Sequence, residues 1–151
     1  MPGPGVPRGG FEIERSMELS SDIARTFDFL TDPTKFALVD HALVDVQPTT
    51  PLALGASGRM THRRGGMTAR TTWKVTAFEP PTSVTVAIAG MGYEMNESAA
   101  LEATPTGTRV RFVDRVWPTS LAGRVLVALS SGIMRRDLQA RSARLANALT
   151  E

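Results

Sequence analysis

Six strand-like segments follow one another between residues 42 and 118 without a helical pattern between them, and this run constrains the fold more than any other feature. Neighbouring parallel strands need long crossover connections, usually a helix, whereas short turns join antiparallel strands. A seventh segment, near the N-terminus, alternates apolar and polar residues as a half-buried strand does. We therefore predict seven antiparallel strands, at residues 11–19, 42–46, 57–64, 68–78, 83–89, 93–103 and 108–117.

Two short helices are predicted directly after the first strand. The serines at the end of that strand can cap an amphipathic helix over residues 22–30, in which apolar residues recur at helical spacing. Asp32-Pro33 then suits the cap and the first position of a second helix over residues 33–38.

A long helix is predicted at the C-terminal end of the sequence. Pro118 ends the last strand, and apolar residues recur at helical spacing over residues 121–149, which makes a helix of roughly 45 Å at about 1.5 Å per residue. We expect its apolar side to lie against the sheet, and that side is formed by Leu121, Val125, Leu129, Ile133, Leu138, Leu145 and Leu149.

This order of elements predicts an α+β domain with an internal cavity. A seven-stranded antiparallel sheet curls, and a single helix across its concave face does not fill the space beneath it. Such cavities are the usual binding sites for small molecules. We assign residues 10–151 to one domain, and residues 1–9, rich in glycine and proline, to a flexible leader.

Composition excludes several kinds of chemistry. The chain has no cysteine and two histidines, which excludes a disulfide framework, a thiolate zinc site, a cysteine nucleophile and a site built from several histidines. No phosphate-binding glycine loop is present, and we expect neither a metal nor another cofactor. A net charge of +2 gives little indication of nucleic-acid binding. The most apolar stretch of the sequence is too short to span a bilayer. We expect a soluble, cytoplasmic protein without stable membrane insertion.

The turns fix which side chains share the concave face of the sheet. A two-residue turn at Gly65-Gly66 pairs His62 with Ala69 and Met60 with Thr71. The predicted ligand-binding residues on the inward faces and on the long helix are Met60, His62, Thr71, Trp73, Tyr93, Met95, Phe112, Leu129 and Ile133. The apolar residues of this set could equally face inward because they pack in the core, without any ligand. For His62, the alternative is an exposed position in the hairpin.

Several short motifs occur along residues 10–150 in a recognisable order: Glu14-Arg15-Ser16, residues 27–30 followed by Asp32-Pro33, Gly55 and Gly58, residues 73–81, Leu101, and residues 107–110. In this order they resemble the START-like helix-grip superfamily (SRPBCC), and within it the polyketide cyclase/dehydrase and lipid-transport group. The resemblance implies a helix-grip fold, in which a curved seven-stranded antiparallel sheet wraps around a long C-terminal helix. It also implies that the first strand pairs with the last.

Three charged residues are predicted to project into the cavity together. The loop at residues 104–107 sets Glu97 directly opposite Asp114, on faces that are otherwise apolar. Like charges repel and burial adds a desolvation penalty, so one carboxyl pKa should rise or a cation should lie between them. The strand order that the resemblance implies brings Arg15 there as that cation. Two alternatives stay open: a β-bulge turns these side chains to solvent, or they form a structural ion-pair network without chemistry.

Two functions are compatible with such a cavity. The first is binding of a small hydrophobic molecule, such as a polyketide, lipid, isoprenoid or aromatic metabolite, by a carrier or sensor. The second is a cofactor-independent enzyme of the polyketide cyclase or aromatase-dehydratase type, in which Asp114 or Glu97 exchanges protons with a substrate held by Arg15 and Tyr93. The sequence does not distinguish the two, and it leaves a homodimer open.

Overall fold

A curved antiparallel sheet and one long helix form the frame of the protein, whose computed structural model describes residues 6–150. The strands are β1 (Phe11–Leu19), β2 (Leu43–Gln47), β3 (Ser57–Arg64), β4 (Met67–Glu79), β5 (Ser83–Gly90), β6 (Tyr93–Thr104) and β7 (Gly107–Pro118). The helices are α1 (Ile23–Leu30), α2 (Phe36–Val39), which follows a 3₁₀ turn at Pro33–Lys35, and α3 (Leu121–Thr150). The predicted α+β helix-grip fold, with two short helices after the first strand, is therefore confirmed.

The N-terminal leader is described only in part. Residues 1–5 of the predicted leader, 1–9, lie outside the described residues. Closer to β1 the chain makes a turn in which the Gly10 N–H donates to Pro7 O at 3.0 Å.

The sheet has the strand order β1-β7-β6-β5-β4-β3-β2, and every neighbouring pair is antiparallel. The first strand therefore lies beside the last, and the short helices span the one connection that does not join neighbours. The predicted registers are confirmed: His62 lies opposite Ala69, and Glu97 lies opposite Asp114. Bulges interrupt the register between Leu43 and Asp45 and between Val75 and Ala77, away from the charged pair.

The two short helices begin where the sequence supplies capping side chains. The Asp22 carboxylate accepts a hydrogen bond from the Arg25 N–H at 2.8 Å at the start of α1, and Asp32 accepts one from the Thr34 N–H at 3.0 Å before α2. Phe27 of α1 is buried, with its ring 5.4 Å from that of Phe78. These contacts hold α1 against the sheet and place α2 at the edge of the concave face.

α3 turns a different face to the sheet from the one predicted. Its buried residues are Gly123, Val127, Leu138, Leu145 and Leu149. The predicted row of Leu121, Val125, Leu129 and Ile133 is instead 79%, 60%, 77% and 62% exposed. Val125 and Val127 lie two positions apart, about 200° around a helix, so burial of one exposes the other. The prediction that this row packs on the sheet is wrong for the first half of α3 and right from Leu138 onward.

No helix within residues 6–150 combines the length and the apolar character needed to cross a membrane.

Gly123 allows α3 to approach the turn between β5 and β6. A Cβ atom on Gly123 would lie 1.8 Å from the Gly92 carbonyl oxygen, and that oxygen also accepts a hydrogen bond from the Thr119 N–H at 2.8 Å. Gly132 lies in the same helix with nothing within 4 Å of the place where a Cβ would be. Close packing therefore requires a glycine at position 123, whereas position 132 has room for a side chain.

We predict opposite effects for alanine at these two positions. Gly123→Ala should lower the free energy of unfolding by roughly 1–3 kcal/mol, because the methyl group overpacks against backbone. Gly132→Ala should raise it by about 0.5–1 kcal/mol, because alanine loses less conformational entropy in a helix than glycine does. Urea unfolding followed by circular dichroism measures both, and equal stabilities would contradict the close contact.

Candidate functional site

A cavity of about 440 Å³ lies between the concave face of the sheet, α2 and α3. The volume falls within the range of roughly 300–1,000 Å³ that is usual for small-molecule sites. Most of its wall is aliphatic, aromatic or thioether side chain. The apolar lining includes Leu30, Phe36, Val39, Leu52, Met60, Trp73, Val84, Val86, Ile88, Met95, Phe112, Val116, Val127, Met134 and Leu145.

The structure places all but one of the predicted ligand-binding residues around this cavity. Met60, His62, Thr71, Trp73, Tyr93, Met95, Phe112 and Ile133 line it. The prediction is wrong for Leu129, which points to solvent because it lies on the outward side of α3. Ile133 contributes at the cavity mouth and is itself largely exposed. The Thr71 hydroxyl is buried and has no hydrogen-bond partner among the described residues.

Arg15 crosses the interior from β1 to α3. Its Nη1 donates to the Leu138 carbonyl oxygen at 2.6 Å and to the Ser142 hydroxyl at 2.7 Å. Its Nη2 donates to Asp114 Oδ2 at 3.2 Å, and the guanidinium lies 4.6 Å above the Phe112 ring. This side chain therefore joins the first strand, the last strand and the long helix through one buried charge.

Asp114 is the more buried member of the pair of carboxyl groups that face each other across β6 and β7. Its side chain is 3% exposed, against 34% for that of Glu97. Burial, followed by the negative charge of Glu97, raises the pKa of Asp114 to about 7, and Arg15 only partly opposes this rise. Asp114 is thus the carboxyl that can hold a proton near neutral pH, which is the property a general acid or a hydrogen-bond donor needs.

A second polar group, which the sequence analysis missed, lies on the other side of the cavity. Arg141 is within 3.1 Å of Asp40 Oδ2, 3.0 Å of Asp137 Oδ2 and 3.7 Å of Glu97 Oε1. Through Glu97, this group is continuous with the Arg15–Asp114 pair. The neighbouring carboxylates outweigh burial and raise the pKa of Arg141, so it stays charged.

His62 belongs to this second group and is not the exposed hairpin histidine that was the alternative. Its Nε2 donates to Asp40 Oδ2 at 2.8 Å, and its side chain is 21% exposed at the cavity wall. Burial opposes ionisation of Asp40, but the hydrogen bond from His62 and the charge of Arg141 lower its pKa to about 2. Asp40 is therefore an ionised acceptor that fixes the orientation of the His62 ring.

The sequence carried a signal for Arg141. It lies three residues after Leu138 and four before Leu145, on the buried seam of α3. A charged residue on a helix usually faces solvent, however, so its position alone did not single out this arginine as a cavity residue. Asp40 gave no comparable signal, since it follows α2 in a loop and meets its partners only through tertiary contacts.

The site is thus a mainly apolar chamber with a charged network along one wall. Within residues 6–150, no group of three or more His, Asp or Glu side chains is placed to hold a metal ion. Proton exchange and hydrogen bonding are what this wall offers to a molecule in the cavity.

Comparisons agree with this architecture. Residues 10–150 match the sequence profile of the family described as polyketide cyclase / dehydrase and lipid transport. The search of curated proteins found no match. Among solved structures, the chain is similar to protein CV1439 from Chromobacterium violaceum, with 16% identity, a TM-score of 0.73, and coverage of 93% of this chain and 97% of that one.

Two other solved structures share the fold. Ara h 8.0201 is 13% identical with a TM-score of 0.70, and 94% of this chain and 99% of that one are covered. DynU16, from the dynemicin biosynthetic locus, is 18% identical with a TM-score of 0.65, and 95% of this chain and 48% of that one are covered. The chain therefore spans about half of DynU16, and at these identities the likeness is one of fold.

We predict that Asp114 makes the protein less stable as the pH rises from about 4 to about 7. The folded protein keeps the proton up to its pKa of about 7, whereas the unfolded chain releases it near 3.8. In that window the native state binds more protons than the unfolded state, so the free energy of unfolding falls with pH. Asp114→Asn should remove this contribution, on the order of a few kcal/mol.

Urea unfolding at a series of pH values measures the effect, with Asp28→Asn on the exposed side of α1 as the matched control. The wild type and the control should share a pH slope that Asp114→Asn lacks. The same slope in all three proteins would contradict a proton on Asp114.

Proposed function

Because the chain belongs to the polyketide cyclase/dehydrase and lipid-transport family, we propose that it binds a small, mainly hydrophobic molecule in its cavity, as a carrier or sensor. The observation that carries this proposal is the chamber of about 440 Å³ with largely apolar walls. Each Å² of apolar surface removed from water contributes roughly 25 cal/mol to the free energy of binding, so a hydrophobic ligand gains affinity from contact with the walls alone. Polyketides, lipids, isoprenoids and aromatic metabolites have this character.

The charged wall favours a ligand that also carries a polar end. A wholly apolar molecule would leave the network of Asp114, Glu97 and Arg141 against hydrocarbon, which is unfavourable for charged groups. A carbonyl or hydroxyl group on that side can hydrogen-bond to the network instead. The unpartnered Thr71 hydroxyl, across the sheet on β4, favours a further hydrogen-bonding atom on the ligand. We therefore expect an oxygenated ligand.

We predict that a larger side chain inside the cavity blocks binding. Val86 lines the chamber from β5, whereas its neighbour Ala87 faces the convex side of the sheet. Val86→Phe should weaken the binding of an uncharged fluorescent probe, N-phenyl-naphthylamine, by roughly tenfold or more, because the ring takes up cavity volume. Ala87→Phe adds a similar side chain outside the cavity and should leave affinity unchanged.

Titration of probe fluorescence measures both variants, and circular dichroism checks that both are folded. Native mass spectrometry of protein purified from its own host should also reveal a bound apolar molecule. Equal probe affinities for the two variants would place the binding site elsewhere and overturn the proposal.

Enzymatic activity is a second candidate, and the raised pKa of Asp114 favours it. A carboxylic acid that stays protonated near neutral pH can donate a proton to a carbonyl or hydroxyl oxygen as a bond forms or breaks. The adjacent Glu97 is more exposed and is paired with Arg141, so it suits the role of acceptor. Cyclisation or dehydration of an oxygenated ligand needs this pair of roles and no cofactor.

Replacing Asp114 distinguishes the enzyme from the carrier. The molecule recovered from the purified protein is incubated with the apo-protein, and its conversion is followed by mass spectrometry. An enzyme should lose turnover by roughly 10²-fold in Asp114→Asn while keeping its affinity for the molecule, because the general acid is gone. Asp28→Asn again serves as control. No conversion by the wild type, with binding retained, would leave carriage as the function.

A further inference from the structure

The first half of α3 is apolar on two opposite faces. Toward the sheet it buries Gly123 and Val127. On the other side lies a row that we call the outer stripe, formed by Leu121, Val125, Leu129 and Ile133. A helix on the surface of a globular protein needs one apolar face to pack on its core, and a helix that is apolar all round is normally covered all round. Packing of the fold therefore accounts for the inner face and not for the outer stripe.

The outer stripe is continuous with the mouth of the cavity. Leu126 and Ile133 both line the cavity and are exposed, as are Met67 at the β3–β4 turn and Met91 at the β5–β6 turn. Gly92 touches α3 at Gly123, which holds the second turn beside the start of the helix. Whatever covers the outer stripe thus also lies over the entrance to the chamber.

The exposed charge around this surface is mostly positive, although Arg64 of the β3–β4 hairpin pairs with Asp137 of α3 at 3.0 Å. Residues 121–136 contain no acidic residue, and the exposed cations on this part of α3 are Arg124, Arg135 and Arg136. Residues 57–74, which form the hairpin of the cavity mouth, also contain no acid. On the convex face of the sheet, by contrast, Arg109 and Arg111 are balanced by Glu18 and Glu14, at 2.8 Å and 2.5 Å.

We propose that the outer stripe and the cavity mouth dock on the surface of an anionic lipid bilayer. Apolar side chains flanked by arginines are the pattern of a helix that lies in the interface of such a membrane without crossing it. A second copy of the chain fits less well, because a two-fold contact would bring the same unbalanced arginines of both copies together. Docked in this way, the cavity opens toward the acyl chains, and an apolar ligand passes between bilayer and chamber without crossing water.

Vesicle co-sedimentation tests the proposal without any cavity ligand. The protein should bind vesicles of phosphatidylcholine with about 30% phosphatidylglycerol, and binding should fall with added salt or with pure phosphatidylcholine. The double variant Val125→Ser/Leu129→Ser should bind roughly tenfold more weakly, because it loses buried apolar area. Leu54→Ser changes a side chain that is 68% exposed in the connection before β3, and it should bind as the wild type does.

A second pair of variants tests the charge independently of the apolar residues. Arg124→Gln/Arg136→Gln should weaken binding to the anionic vesicles, while Arg109→Gln/Arg111→Gln on the convex face should not. Vesicle affinity that is equal in all four variants would overturn the proposal. So would a dimer of the wild type that dissociates in Val125→Ser/Leu129→Ser, since a second copy would then cover the stripe.

This result is separable from ligand binding. Val86→Phe, which fills the chamber, should bind vesicles as the wild type does, because its side chain lies inside the fold. Loss of probe binding with retained vesicle binding would support both proposals. If the wild type binds the probe but does not bind vesicles, the membrane-docking proposal is rejected and the ligand-binding proposal stands.

Discussion

Arg15 carries a positive charge into the interior of the protein, and the arrangement of the three main parts follows from how that charge is satisfied. A guanidinium that loses water must be given hydrogen-bond acceptors and a counter-charge. Asp114 provides the charge from β7, and Leu138 and Ser142 provide the acceptors from α3. The contact fixes the second half of the helix against the sheet at one place. Leu138 and Leu145 then line that end of the chamber, and Leu149 continues the buried seam of the helix.

The same contact sets the chemistry of the site. Asp114 is held beside Glu97 by the register of β6 and β7, and a single arginine is shared between the carboxyl group and the helix. The charge of Arg15 does not fully offset burial and the repulsion from Glu97, so the pKa of Asp114 stays raised. The carboxyl group with the raised pKa thus belongs to the same contact that holds the helix.

The parts of this arrangement that depend on short-range geometry could be predicted from the sequence. Turn length fixes register, so the two-residue turn at Gly65-Gly66 was enough to place His62 opposite Ala69, and the loop at residues 104–107 to place Glu97 opposite Asp114. The face of α3 could not be read in the same way, because apolar residues occupy both of its sides in the first half. Asp40 meets Arg141 across 101 positions of sequence, and no local pattern reports such a contact.

The two halves of α3 present different side chains to the cavity. In the second half, the inward face carries Arg141 and Ser142 among leucines, so polar groups reach the ligand space from the helix as well as from the sheet. In the first half, charge is confined to the outside and the inward face offers only small or apolar side chains. In the proposed carrier, the first half of the helix therefore faces the hydrocarbon body of the ligand and the second half faces its polar group.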